Sequence, residues 1–255
     1  MTIFENHPLD TLNTFGLKAS ARFYAEARSE DECRALLQSV PTIHHRVIIL
    51  GGGSNVILSG MLDALVIHPA LRGITLQNEQ DDVLIVEAMA GEVWHDFVRH
   101  CLQQGWYGLE NLSYIPGTVG AAPVQNIGAY GVEITDVFES LTALDIHTGE
   151  TRNFSHDECR FAYRDSIFKQ EEMDRYLITR VRFRLSRQPV QRLDYGDIRN
   201  ELAVQGIVHP TPLQLSDVFI AIRQRKLPDP AVVVNAGSFF KNPVISEHDF
   251  HVLKE

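Results

Sequence analysis

Ile48-Ile49-Leu50-Gly51-Gly52-Gly53-Ser54-Asn55-Val56 carries a short β-branched strand straight into three glycines and two small polar residues. Glycine tolerates positive φ and lets backbone lie close to a ligand. Successive amides exposed in this way form a concave anion site suited to a pyrophosphate. The spacing is not the dinucleotide fingerprint G-x-G-x-x-G, because Val56 stands in the sixth place. Nor is it a P-loop, since no Gly-Lys-Ser/Thr follows. Taken alone, the stretch is equally well explained as a tight turn after a strand.

Outward from this point, strand-like and helix-like pieces alternate in short units. Arg46–Leu50 reads as the strand that feeds the glycines, and Ala21–Ala27 as an earlier one. Ser29-Glu30-Asp31-Glu32 has the form of a capping box, which predicts a helix to about Gln38. Val83–Ala88 is a further apolar strand. Gly91–Gln103 follows as an amphipathic helix whose apolar face is Val93, Trp94, Phe97, Val98 and Leu102. Val137–Ile146 reads as a strand turning at Thr148-Gly149. In Leu177–Leu185, Val181, Phe183 and Leu185 alternate with Arg180, Arg182 and Arg184, which predicts an antiparallel strand with one wet face. Leu213–Arg225 is a helix stopped by Pro228 and Pro230. The mix favours an α+β fold over a doubly wound sheet. Boundaries are expected near Ile67–Gly73 and Arg223–Pro230, giving units 1–70, 71–222 and 223–255.

Composition narrows the function. With 255 residues, 44% of them hydrophobic, the chain can build a core without staples. A net charge of −10 argues against a nucleic-acid binder, which needs a basic face to displace counterions. A few converging cations can still hold a small anion in such a protein. Cys33, Cys101 and Cys159 are few and far apart, so free thiols in a reducing cytoplasm are expected, with no disulfide framework or zinc site. The histidines show no metal-ligand spacing, and His44-His45 reads as a surface pair. The N-terminus lacks a basic signal region, and no apolar run is long enough for a membrane helix. A cytoplasmic monomer with no membrane or nucleic-acid partner is therefore expected.

Three more segments carry chemistry. Ile115-Pro116-Gly117-Thr118-Val119-Gly120-Ala121-Ala122-Pro123-Val124-Gln125-Asn126-Ile127-Gly128-Ala129-Tyr130-Gly131 is rich in small residues and has no charge. A disordered linker would be more polar, so the segment reads as an ordered loop able to lie flat against a large planar ligand. In Cys159-Arg160-Phe161-Ala162-Tyr163-Arg164-Asp165-Ser166-Ile167-Phe168, the Arg164 guanidinium suits a planar carboxylate or an electron-rich ring. On this motif alone, a structural pairing with Asp165 or Asp157 is the better explanation. Lys226-Leu227-Pro228-Asp229-Pro230 precedes Asn235-Ala236-Gly237-Ser238-Phe239-Phe240-Lys241-Asn242-Pro243, where a hydroxyl, a cation and an amide lie close together. Ser238 is not in a G-x-S-x-G elbow, so hydrolase chemistry has no support.

In order and spacing these motifs resemble the UDP-N-acetylenolpyruvoylglucosamine reductase family. The matching run also includes Asn13-Thr14-Phe15-Gly16 and Gly108-Leu109-Glu110-Asn111-Leu112, and Leu193-Asp194-Tyr195-Gly196-Asp197 resembles the substrate-loop segment of its type I branch. The resemblance covers nearly the whole chain. It implies the FAD-binding fold of the vanillyl-alcohol-oxidase-like type in two α+β subdomains, plus a partial α+β substrate-binding domain. It implies FAD as cofactor and NADPH as hydride donor, with a UDP-sugar enolpyruvyl ether as the small-molecule substrate. The pyrophosphate would rest on Gly51, Gly52, Gly53, Ser54 and Asn55. The flavin ring would lie near Pro116, Gly117, Thr118 and Gly120, and near Asn126, Gly128, Ala129, Tyr130 and Gly131. By position, Arg164 would stabilise negative charge on the substrate and Ser238 would donate the proton. Tyr195, Lys226 and Asn242 match positions that hold the UDP portion, with Tyr163, Tyr130 and Arg223 as further ligand contacts. Family members continue beyond the Ser238 motif and supply another glutamate, whereas this sequence stops at Glu255. The expectation on that account is imperfect FAD binding and slow or absent turnover. A flavin-dependent oxidase of the same fold and a non-catalytic nucleotide-binding fragment are the competing readings; no histidine for covalent flavin attachment lies in either glycine-rich loop.

Overall fold

The computed structural model describes residues 2–43, 46–195, 198–228, 232–237 and 241–254. The pair His44-His45, Gly196-Asp197, Asp229-Pro230 and Ser238-Phe239-Phe240 lie outside the described residues.

The chain begins with β1 (Phe4–Pro8), β2 (Ala19–Ala27), α1 (Glu30–Ile43), β3 (Arg46–Ile49) and β4 (Gly60–Pro69). The strands form one sheet in the order β1-β2-β4-β3. β4 is parallel to both neighbours, whereas β1 is antiparallel to β2. Parallel pairing needs a crossover, and α1 provides it. Its start is capped as expected: Ser29 Oγ accepts from Glu32 N at 3.1 Å. Glu32 reaches back one residue further, accepting from Arg28 N at 2.7 Å. Cys33, Leu36 and Leu37 then pack on Ala25, Leu65 and Ile67. The central strand β4 has a weak sequence signature, because Asp63 and His68 break up its apolar run. Its middle, Ala64 to Ile67, is nevertheless buried, as a strand covered on both faces should be.

β5 (Ile74–Gln80) and β6 (Val83–Met89) open the second half, followed by α2 (Trp94–Gln103). A two-residue ribbon comes next, β7 (Gly128–Ala129) against β8 (Val132–Glu133). β9 (Phe138–Asp145), β10 (Thr151–Ser155) and β11 (Tyr176–Ser186) complete the strands. The second sheet has the order β10-β9-β11-β6-β5 and is antiparallel throughout. One face is core: Val181, Phe183 and Leu185 stand opposite Ala88, Val86 and Leu84, and Phe183 packs on Phe97 at 4.9 Å and Trp94 at 5.9 Å between ring centroids. The other face is less wet than its arginines suggest. Arg182 pairs with the buried Glu87 at 2.7 Å, and Arg180 pairs with Glu30 of α1.

α2 starts at Trp94 instead of Gly91, for a reason that matters to the site. The preceding residues are taken up by the 116–120 turn. Gly120 N donates to Ala90 O at 2.9 Å, Val119 N to Glu92 O at 2.9 Å, and Trp94 N to Gly117 O at 3.0 Å. Val93 is therefore extended and 37% exposed, and the fully buried Cys101 completes the apolar face in its place.

α3 (Ile198–Val204) and α4 (Pro212–Lys226) build a smaller cluster from Ile198, Leu202, Leu215, Val218, Phe219 and Ile222. Thr211 caps α4 in a full capping box with Gln214. Arg99 of α2 ties this helix down, donating to Asp217 at 2.6 Å and Ser216 at 3.0 Å. The boundary expected at 222/223 falls inside α4. A last helix, α5 (Glu247–Lys254), is capped by Ser246, whose Oγ accepts from Asp249 N at 3.1 Å. The three cysteines are buried and unpaired. Among the described residues no helix is long and apolar enough to cross a membrane, and no group of three or more possible metal ligands occurs.

Candidate functional site

The glycine loop after β3 and the 116–120 turn that packs on the start of α2 face each other across a cleft of about 320 Å³. Gly51, Gly52, Gly53, Ser54 and Asn55 form one wall, with Pro116, Gly117 and Thr118 opposite. The walls approach closely, glycine backbone against backbone at Gly52 and against a side chain at Gly51. A Cβ on Gly52 would stand 3.0 Å from Gly117 Cα, and one on Gly51 2.8 Å from Thr118 Oγ1. Gly53 takes φ +62°, and a Cβ there would fall 1.9 Å from Leu12 O. The amides of Gly51 to Asn55 donate no hydrogen bond to any described residue. A run of amides without acceptors along a narrow cleft is what an anionic linker needs, so these residues fit a dinucleotide cofactor's pyrophosphate. Gly120 lies further along, in an adjoining cleft of about 180 Å³ that shares Gly51 and Thr118 with the first.

At the other end of the groove, Arg164, Arg223, Gly128 and Gly237 line a cleft of about 160 Å³ together with Ser54, Asn55 and Pro116. Arg164 pairs with neither sequence neighbour proposed for it. Asp165 instead accepts from Ser166 N at 2.9 Å and Gln170 Nε2 at 2.8 Å. The partner of Arg164 is Glu133, with Nη1 to Oε1 at 2.7 Å, and its Nη2 donates to Gly128 O at 2.6 Å. Arg164 itself has φ +54°. Gly128 is a glycine for this arginine's sake, since a Cβ would meet Arg164 Nη1 at 2.6 Å and Glu133 Cγ at 2.8 Å. Asn126 is fully buried at φ +45°. Its amide donates to Glu133 at 2.8 Å and Ala162 O at 2.9 Å, so its side chain serves the site indirectly, through the shape of the loop.

The aromatic candidates gather around α4. The Tyr130 ring packs on Phe219 at 4.8 Å and edge-on to Tyr195 at 6.0 Å. Gly131 passes beside Tyr195, and Ala129 completes the ribbon. Burial pushes the Tyr130 hydroxyl's pKa up, opposed by Arg223 and Lys226 nearby. Arg223 donates from Nε to Tyr114 O at 3.0 Å, and burial lowers its pKa. Tyr163 is 37% exposed, and Lys241 Nζ stands 5.6 Å from its ring centroid. Asn242 is exposed. Gly237, with φ +71°, brings the chain to the cleft just ahead of Ser238.

Two participants lie outside the sequence motifs. Glu133 lies just past the quoted glycine-rich segment, and only its place beside Gly128 hints at it. His95 sits on the first turn of α2 and lines an apolar cleft of about 240 Å³ with Thr14, Tyr114 and Arg223. Its Nδ1 accepts from Tyr114 N at 3.0 Å, and burial lowers its pKa.

Comparison with known proteins adds an independent line. Residues 21–155 match the family described as FAD binding domain. The UDP-N-acetylenolpyruvoylglucosamine reductase of Pseudomonas fluorescens strain Pf0-1 is 54% identical over 238 residues, 93% of this chain and 70% of that protein. Among solved structures, the UDP-N-acetylenolpyruvylglucosamine reductase of Thermus caldophilus superposes with a TM-score of 0.66 at 22% identity, covering 95% of this chain and 74% of that one. A solvent-stable cholesterol oxidase superposes with a TM-score of 0.56 at 15% identity over 72% of this chain and 38% of that one. The expected α+β FAD-binding fold of the vanillyl-alcohol-oxidase-like type is thereby borne out, and FAD is the cofactor of this fold.

Proposed function

We propose a function from one premise: the chain belongs to the UDP-N-acetylenolpyruvoylglucosamine reductase family. It is an FAD-dependent oxidoreductase that takes electrons from NADPH and reduces UDP-N-acetylglucosamine enolpyruvate to UDP-N-acetylmuramate, a precursor of the cell wall. The substrate is a small UDP-sugar, and the three buried free thiols suit a reducing cytoplasm.

The observation that carries the proposal is the convergence of Arg164 and Arg223 on a cleft that shares Ser54, Asn55 and Pro116 with the groove of unpaired amides. Gly51 to Asn55 would hold the pyrophosphate, and Pro116, Gly117, Thr118, Gly120 and Gly128 would border the remainder of the cofactor. When bound, FAD supplies the hydride for the enol-ether carbon. Reduction places negative charge on the substrate carboxylate, and Arg164, already fixed by Glu133 and Gly128, would stabilise it without reorganising. Ser238 would then hand a proton to the adjacent carbon; a serine can do so only next to such a stabilised anion. Tyr195, Lys226 and Asn242 would orient the UDP portion, with Tyr163, Tyr130 and Arg223 as further ligand contacts.

The test is a visible spectrum of the purified chain, mixed anaerobically with NADPH and then with the enolpyruvyl substrate. The expected result is a flavin band that bleaches with NADPH and recovers, however slowly, with substrate. A chain that takes up no flavin when FAD is added overturns the proposal.

A further inference from the structure

Arg164 can meet a substrate carboxylate only with the donors the fold leaves to it. A guanidinium has five N–H groups. Nη1 uses two, on Glu133 Oε1 at 2.7 Å and Asn126 O at 3.3 Å, and Nη2 uses one, on Gly128 O at 2.6 Å. The Nε–H and one Nη2–H have no acceptor among the described residues. The Nε and Nη2 groups share one edge of the planar group, the edge that matches the two oxygens of a carboxylate. The cleft that Arg164 lines is where such a ligand would meet that edge.

We propose that Glu133 is the residue that sets this presentation. Its carboxylate bridges the site: Oε1 takes Arg164 Nη1, and Oε2 takes Asn126 Nδ2 at 2.8 Å. It is itself fixed by a backbone contact, Glu133 N donating to Asp136 Oδ2 at 2.9 Å. Asn126 in turn accepts from Thr135 N at 3.2 Å. Glu133 thus couples the cofactor loop to the arginine and turns Arg164's free edge to the cleft. It is a positioning residue, acting through Arg164, and the inference rests on the carboxylate-binding role proposed for Arg164.

Two physical effects of removing Glu133 have opposite signs, and this makes the idea testable. By Coulomb's law alone, deleting a carboxylate 2.7 Å from a guanidinium should strengthen the binding of another anion there. If Glu133 positions the arginine, deletion should weaken it instead. The experiment titrates the flavin-loaded chain with the enolpyruvyl substrate and with UDP-N-acetylglucosamine, which lacks the carboxylate, following the shift in flavin absorption. The readout is the ratio of the two affinities, which a general loss of stability would not move. The unmodified chain is expected to prefer the carboxylated ligand, Arg164→Ala to lose the preference, and Glu133→Gln and Glu133→Ala to lower it about tenfold. The double variant should be no worse than Arg164→Ala. A Glu133 variant whose preference is unchanged or increased overturns the inference and leaves Arg164's role standing. No preference in the unmodified chain, or full preference in Arg164→Ala, sinks the role of Arg164 and the inference with it.

Discussion

The two glycine-rich segments meet at the same groove but use glycine differently. At Gly52 and Gly53 the glycines admit backbone, with Gly117 Cα and Leu12 O in the space a Cβ would take, and Gly51 makes room for the Thr118 hydroxyl. At Gly128 the two nearest atoms are side-chain ones, the Arg164 guanidinium and Glu133 Cγ, with Val132 O behind them. The first arrangement leaves amides bare for an anion. The second fixes one cation against one carboxylate. A site made of main chain is specified by the fold and fails with it, whereas a site made of side chains can be detuned while the fold stands.

Gly53→Ala is the most damaging way to probe the first arrangement. The residue needs a left-handed backbone, its Cβ would collide with Leu12 O at 1.9 Å, and its own carbonyl accepts from Thr14 N at 3.1 Å. Left-handed strain alone costs about 1–2 kcal/mol, and the collision forces Leu12 or the glycine loop to move. A loss of at least about 3 kcal/mol is expected, or about 6–12 °C in Tm for a chain of this size. The purified variant should carry no flavin band. A variant that keeps its flavin would show that the loop does not hold the cofactor.

Gly128→Ala should separate the two regions. This glycine has no positive φ, so strain is not the cause of damage. The added methyl displaces Arg164 and Glu133 and crowds Val132 O at 2.9 Å. Because Gly128 only borders the cofactor while Gly51 to Asn55 hold it, flavin should still be taken up, and Tm should fall by about 2–8 °C, the cost of 1–2 kcal/mol of crowding. The preference for a carboxylated ligand, or turnover with it, should drop about tenfold or more. Loss of flavin in both glycine variants would break the contrast, and would mean that the two segments act as a single unit.

The same contrast explains what the sequence reveals. A backbone requirement leaves a local mark, and the three glycines after Ile49 announce their loop without any knowledge of what faces it. Periodicity likewise exposed the face of α2 and the alternation of β11, because burial repeats along the chain. The partner of Arg164 left no such mark. Nearby Asp165 and Asp157 were the natural candidates, yet Glu133 is 31 residues away and is brought in by the β7–β8 ribbon. β4 stayed hidden because Asp63 and His68 interrupt an apolar run that its neighbours cover on both faces. The start of α2 moved because the 116–120 turn claims Glu92 O and Ala90 O, a long-range demand that no helix propensity contains.

The smallest expected effect lies between the two regions, at His95. Nδ1 accepts from Tyr114 N at 3.0 Å, so protonation would set two N–H groups against each other. Burial is the main cause of the lowered pKa, with Arg99 and Arg223 adding to it and Asp96 opposing. The folded state therefore disfavours the charged ring. The stability this contributes is complete above the ordinary histidine value of about 6.5. It is lost as pH falls from there through the lower folded value. His95→Asn keeps an acceptor near Nδ1 and cannot titrate. It should be close to normal at pH 8, within about 1 kcal/mol, the size of one hydrogen bond. Across the interval below pH 6.5 its stability should fall less steeply than that of the unmodified chain. Denaturant unfolding at pH 8, 6.5 and 5 measures the difference. Parallel curves would mean that His95 is already solvated in the folded protein, and the packing of Tyr114 and Arg223 around it would then be looser than their contacts imply.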